Sequence, residues 1–148
     1  LDERTTLFLL PGSTANTAVL TYDGDNPQHW QSPTNATVAV TTYTGDLVLP
    51  AQITADDGKT YTLTAIGDEA FMGCRTLTSV VLPETVQSFG EGAFAICRTL
   101  TTINIPEGIT EIPNGCFGYC SGLNNFPFKD CRLSHAGYYT SYIGGRTL

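Results

Sequence analysis

With 148 residues the chain has room for one domain with a substantial core and little more. Seven basic against fourteen acidic side chains leave a formal net charge of −7, which repels phosphate backbones and anionic lipid and so disfavours nucleic acid and acidic membrane surfaces as partners. Charged residues are scarce, while Thr, Ser, Asn and Gly are plentiful, a balance that suits an ordered, β-rich, neutral-polar surface better than a disordered chain.

The chain opens on Leu1 rather than Met, which reads as a processed or engineered product whose targeting segment, if any, has gone. The apolar run Leu7-Phe8-Leu9-Leu10 is too short for a signal peptide and far too short to span a bilayer. Residues 17–22 and 36–43 alternate apolar and polar side chains, with Thr and Val enriched, and predict two half-buried strands. Asp23-Gly24-Asp25-Asn26-Pro27 and Thr44-Gly45-Asp46 read as turns. Residues 1–46 therefore predict a β-rich N-terminal cap, covering the strand edge and apolar interior that a repeat array exposes at its end.

From Leu47 the chain becomes periodic. Cys74, Cys97 and Cys120 recur at one constant interval, and the segments beginning Arg75-Thr-Leu77 and Arg98-Thr-Leu100 match at every large apolar position. Self-similarity at this interval marks a stacked array of repeats. The first repeat is interrupted: the stretch from Pro50 to Gly67 is longer by ten than its counterpart from Pro83 to Gly90. Within residues 51–64, Asp56-Asp57-Gly58-Lys59 lies between two short β-prone runs and predicts a hairpin.

In the complete repeat, Leu77, Val80, Leu82, Val86, Phe89, Ala93, Phe94 and Cys97 form the expected inward set, leaving Ser79 and Val81 outward by strand alternation. Pro83 ends the strand, and residues 90–94 read as one short helical turn with acids near its N-terminal end. A fourth repeat starts with Leu123, Phe126 and Phe128. Residues 129–148 then depart from the pattern and read either as a C-terminal cap or as the cut end of a longer array. The fold expected is a leucine-rich-repeat solenoid, a right-handed β-superhelix with short helical turns, all in one domain.

The phrase Ala65-Ile66-Gly67-Asp68-Glu69-Ala70-Phe71, then Cys74, then Leu77-Thr78-Ser79-Val80-Val81-Leu82-Pro83, resembles the BspA-like leucine-rich repeat, whose units read Ile-Gly-x-x-Ala-Phe, then Cys, then Leu-Thr-x-Ile-x-Ile-Pro. The likeness covers residues 47–128. It departs at Cys116, where the motif has Ala, at Pro113, where it has Gly, and over residues 1–46 and 129–148. The resemblance implies a secreted or surface-attached bacterial protein of the kind associated with adhesion to host proteins or other cells, and it implies no catalytic residue.

The candidate chemistry is sparse. Cys74, Cys97 and Cys120 recur once per repeat and read as stacked, buried thiols, although a bridge between Cys97 and Cys120 is sterically conceivable. Cys131 and His135 supply only two of the four ligands zinc wants, and lack the orienting third group of a nucleophilic site. His29 beside Trp30 reads as packing, and residues 23–26 lack the spacing and distal Glu of a calcium loop. Asn35-Ala36-Thr37 is a formal glycosylation triplet. No metal and no cofactor is expected.

Stacked strands form a continuous surface of the kind repeat proteins use for binding. Its outward positions are Val48, Ser79, Val81, Thr102, Asn104, Asn125 and Pro127, with the tyrosines 138, 139 and 142 as a rival surface. The function expected is a non-enzymatic, extracellular or cell-surface interaction module that presents this face to a protein or glycan. The alternative is a structural spacer or cap of a larger surface protein, with no ligand of its own.

Overall fold

A computed structural model describes residues 7–22, 43–113 and 115–123, together with the backbone of residues 146–147. The expectations for residues 23–42, for the fourth repeat beyond Leu123, for Cys131 and His135 and for the tyrosine-rich tail lie outside these residues.

The chain opens with a hairpin of β1 (Phe8–Pro11) and β2 (Thr17–Thr21), then runs through β3 (Gly45–Val48), β4 (Gln52–Thr54), β5 (Thr60–Ile66), β6 (Leu77–Val81), β7 (Ser88–Phe89), β8 (Thr102–Ile103), β9 (Glu111–Ile112) and β10 (Arg146–Thr147). One sheet is purely parallel, in the order β3-β6-β8. Its register sets Asp46 against Ser79 and Ser79 against Thr102, and likewise Leu47 against Val80 and Val80 against Ile103. The first of these steps exceeds the second by the ten inserted residues, so the insertion leaves the strand stack in register.

A second sheet carries β2 and β7 parallel to β5, with β1 antiparallel to β2 and β4 antiparallel to β5. The β4–β5 hairpin occupies the inserted residues, and its tip is closed by Asp57, which accepts the Lys59 N–H at 2.9 Å and the Tyr61 hydroxyl at 2.6 Å. β10 lies antiparallel to β9.

Between the strands sits one core. Leu47, Val80 and Ile103 enter it from the first sheet; Leu20, Leu63, Ile66, Phe89 and Ile112 enter from the other strands. All eight residues expected inward in the complete repeat are buried. Phe71, Phe94 and Phe117, one per repeat, form a near-parallel column with ring centroids 4.9 and 5.2 Å apart. Phe89 meets the rings of Phe94 and Phe117 edge-on. Tyr43 lies on Phe71 at the start of the column, its hydroxyl donating to the Thr21 carbonyl at 2.7 Å and accepting the Phe8 N–H at 3.3 Å. One buried ring thus ties the β1–β2 hairpin to the repeats.

Two expectations need correction. The Gly-x-x-Ala-Phe phrases, read at residues 90–94 as a short helical turn, are not helical: among the described residues there is no helix, and residues 91–96 are a run of turns. The cause is a pair of left-handed residues in every repeat, at Glu69 and Gly73, Gly92 and Ile96, Gly115 and Tyr119. A positive φ ends helical propagation wherever it falls. Only one member of each pair is glycine. Second, Gly45 and Asp46 are not a turn but open β3; Gly45 takes a φ of +67° at a register shift, which swings the chain into the ladder. The structure also adds a strand to the expected set. The run Phe8-Leu9-Leu10 lies within β1, too short a stretch for periodicity alone to assign.

Gly90 meets a different demand. A Cβ there would run into the backbone of Gly67 and Asp68 in the preceding repeat, so the glycine of the phrase is a point of close approach between neighbours.

Candidate interaction surface

The turn side of the repeats is laddered as tightly as the strands. The N–H groups of Glu69, Phe71 and Gly73 donate to the carbonyls of Glu91, Ala93 and Ala95, and those of Phe94 and Ile96 to Cys116 and Gly118, at 2.7–2.9 Å. The thiols join this network. Cys97 Sγ donates to the carbonyl of Phe71 and Cys120 Sγ to that of Phe94, both at 3.0 Å, each reaching one repeat back.

Cys74, Cys97, Cys116 and Cys120 are all free and buried. Removal from water pushes the Cys74 and Cys120 thiols up to about 12, and those of Cys97 and Cys116 well above the ordinary value, so all four stay protonated and unreactive at neutral pH. Among the described residues, no group of three or more His, Cys, Asp or Glu side chains is placed to hold a metal ion. The fourth thiol, Cys116, stands where the motif has Ala and fills the same buried place as Ala70 and Ala93.

The outward face of β3-β6-β8 divides into three kinds of residue. Val48 and Val81 are register partners with relative exposures of 57% and 48%, two of the large apolar side chains left in water. Thr102 is exposed on β8. Ser79 and Asn104 are engaged within the face. The hydroxyls of Thr78 and Ser79 both donate to Asp46 Oδ1 at 2.8 Å, and these two bonds, in that order, hold the Asp46 carboxyl below the usual carboxylate range. Asn125 and Pro127 lie outside the described residues.

Asn104 has a structural task that its outward register position conceals. Just past β3, the Leu49 N–H donates to the backbone carbonyl of Val81 at 2.9 Å. One repeat later the corresponding N–H, that of Leu82, donates instead to the side-chain Oδ1 of Asn104 at 2.6 Å, and Asn104 Nδ2 donates back to the Leu82 carbonyl at 2.8 Å. The amide takes both polar groups of a neighbouring residue, doing for Leu82 what a strand backbone would do. β8 is correspondingly short, two residues against five in β6. The signal in the sequence is an Asn, poorly suited to strands, at the place held by Val81 in the preceding repeat.

Parallel strands recurring once per repeat, a column of phenyl rings and inter-repeat ladders on both the strand and turn sides define a protein of the leucine-rich-repeat type. Residues 59–140 match the family model described as BspA type leucine rich repeat region (6 copies), and the chain belongs to that family. No match was found among curated proteins.

Solved structures agree in fold. A leucine-rich repeat protein from Bacteroides ovatus is 27% identical with a TM-score of 0.60, over 79% of this chain and 26% of that one. The leucine-rich repeat protein of T. pallidum is 26% identical with a TM-score of 0.59, over 79% of this chain and 44% of that one. A leucine-rich cell surface protein from Faecalibacterium prausnitzii is 26% identical with a TM-score of 0.58, over 82% of this chain and 28% of that one. The chain thus spans less than half the length of each of these three proteins.

Proposed function

We propose that this chain is a non-enzymatic interaction module of a secreted or cell-surface bacterial protein, of the adhesion type, and that the outward face of β3-β6-β8 meets a macromolecular partner. The strands and turns are read as part of a right-handed β-superhelix, with the strand face as its binding side. Family membership and the cell-surface description of the F. prausnitzii relative support the location. The observation that carries the surface is the pair Val48 and Val81. Two aliphatic side chains stand side by side in water on paired parallel strands, where burial against a partner would be favourable by about 25 cal/mol per Å² of apolar area.

The test is a binding screen of the whole chain against extracellular-matrix proteins and glycans, repeated with Val81→Glu. A partner that binds the parent and is lost on the substitution supports the face. A partner that binds both equally moves the site elsewhere. One observation favours a second reading, that of a spacer: the polar groups of Ser79 and Asn104 are spent on Asp46 and Leu82 rather than held out to a ligand. A screen that captures nothing supports the spacer.

A further inference from the structure

The strands of the parallel sheet are not equally satisfied. β6 is flanked on both sides, by β3 and β8, whereas among the described residues β3 pairs with β6 alone. Which of its backbone groups face the other way follows from parity. The N–H groups of Gly45 and Leu49 reach Thr76 and Val81, on the β6 side. In a parallel ladder the N–H and C=O of one residue point to the same side and the sides alternate, so Leu47 also faces β6, and Asp46 and Val48 direct their backbone groups away from it.

The same two residues turn their side chains outward. Val48 continues into Val81 as an exposed aliphatic step. Asp46 is exposed, and both hydroxyl bonds go to its Oδ1, leaving Oδ2 directed at neither. Gly45–Val48 carries no Lys and no Pro, and among the described residues no strand pairs with its outer side; what tempers this edge is the charge of Asp46 and the register shift at Gly45.

The charge decides which strand fits. In antiparallel edge-to-edge pairing with a second copy of this chain, two Asp46 carboxylates would approach each other, between molecules that each carry −7. A cationic strand meets no such penalty. Building on the interaction-face reading above, we infer that the outer edge of β3 takes up an extended, basic peptide segment of a partner protein as an added strand. The backbone of that segment pairs with Asp46 and Val48, a Lys or Arg sits at the Asp46 carboxylate, and an aliphatic residue two positions along packs against Val48, extending the exposed aliphatic step that Val48 makes with Val81. The two-residue spacing follows from strand geometry, which puts alternate side chains on one face about 7 Å apart. Main-chain bonds give such a complex its affinity and the alternate side chains its specificity.

The probe is a fluorescein-labelled, end-capped octapeptide, Lys-Thr-Val-Thr-Lys-Thr-Val-Thr, which sets lysine and valine two positions apart on one face; it is titrated with the whole chain and followed by fluorescence anisotropy. Saturable binding is expected. N-methylation of alternate peptide nitrogens should weaken it about tenfold or more, the equivalent of one lost hydrogen bond. Replacing its lysines by glutamate should abolish it. On the protein, Val48→Pro removes a single N–H that faces away from β6 and should cause a similar loss, with a thermal melt checking that the chain still folds. Asp46→Asn should weaken the lysine peptide and restore some binding of the glutamate peptide.

Absence of binding, or equal binding of the parent, N-methylated and glutamate peptides, overturns the proposal; the methylated peptide serves that purpose even if Val48→Pro does not fold. The outcome is separable from that of the wider reading. A matrix partner lost on Val81→Glu but indifferent to Val48→Pro keeps the face and removes the strand-addition mode.

Discussion

The strand side and the turn side of the repeats meet the same requirement by different means, and the difference locates the chemistry. Both must satisfy a backbone that returns once in every repeat. On the strand side the parallel ladder does this, and it leaves Asp46, Val48, Thr78, Ser79 and Val81 toward the outer face. On the turn side, left-handed residues at Gly92 and Ile96 and their counterparts fold the chain flat against its neighbour, and the groups there are buried: phenyl rings, small residues and four thiols. The turn side holds the stack together. The strand side is where the proposed partner would be met.

The largest expected effect tests the turn side as a whole. The folded thiols keep their protons above the value near 9 at which unfolded thiols release them. For Cys74 and Cys120 this contribution is complete below pH ~9 and is lost as pH rises toward ~12, at about 1.4 kcal/mol per thiol per pH unit, and Cys97 and Cys116 add to the loss in the same direction. Urea titrations at several pH values between ~8 and ~11 should show a steep alkaline loss of stability that Cys97→Ala and Cys120→Ala make shallower. An unchanged slope in those variants would place the thiols in water.

Next comes Phe94→Ala. The ring is fully buried between Phe71 and Phe117, and its removal should cost about 3–5 kcal/mol, read from the urea midpoint. Strand-side substitutions should be smaller and should separate two neighbours. Asn104→Ala leaves both polar groups of Leu82 without their partner and should cost about 1–3 kcal/mol, while exposed Thr102→Ala stays within about 0.5 kcal/mol. Equal effects would erase the distinction between a structural and a free residue on that face. The smallest effect is conformational. Gly92→Ala meets only ordinary contacts but must hold a φ of +63°, which should cost about 1 kcal/mol; Gly108→Ala, with no positive φ, should be near neutral in the same thermal melts.

How much of this is legible without coordinates follows the same division. The inward set from Leu77 to Cys97 can be read because burial obeys the period and a large apolar residue has one favourable place to go. The hairpin in residues 51–64 is legible because turn residues interrupt two β-prone runs. Asn104 reads as a free outward contact because alternation assigns a direction to the side chain but says nothing of the neighbouring N–H it can reach. The turns read as helical because Ala-Phe phrases fit a helix and only one left-handed position in each repeat carries the glycine that would announce it. Ile96, a β-branched residue at a φ of 63°, cannot be foreseen from local preference at all.

The interval, the family and the buried set are all written in the order of the amino acids, since these depend on which side chains leave water. Which polar groups are spent and which remain is settled only in three dimensions: that Asn104 is committed to Leu82, that the thiols of Cys97 and Cys120 answer carbonyls one repeat away, and that Val48 and Val81 stand exposed beside an edge strand. Burial is a property of a residue and its pattern, whereas hydrogen bonding is a property of pairs, and the partners here lie 22 to 26 residues apart along the chain.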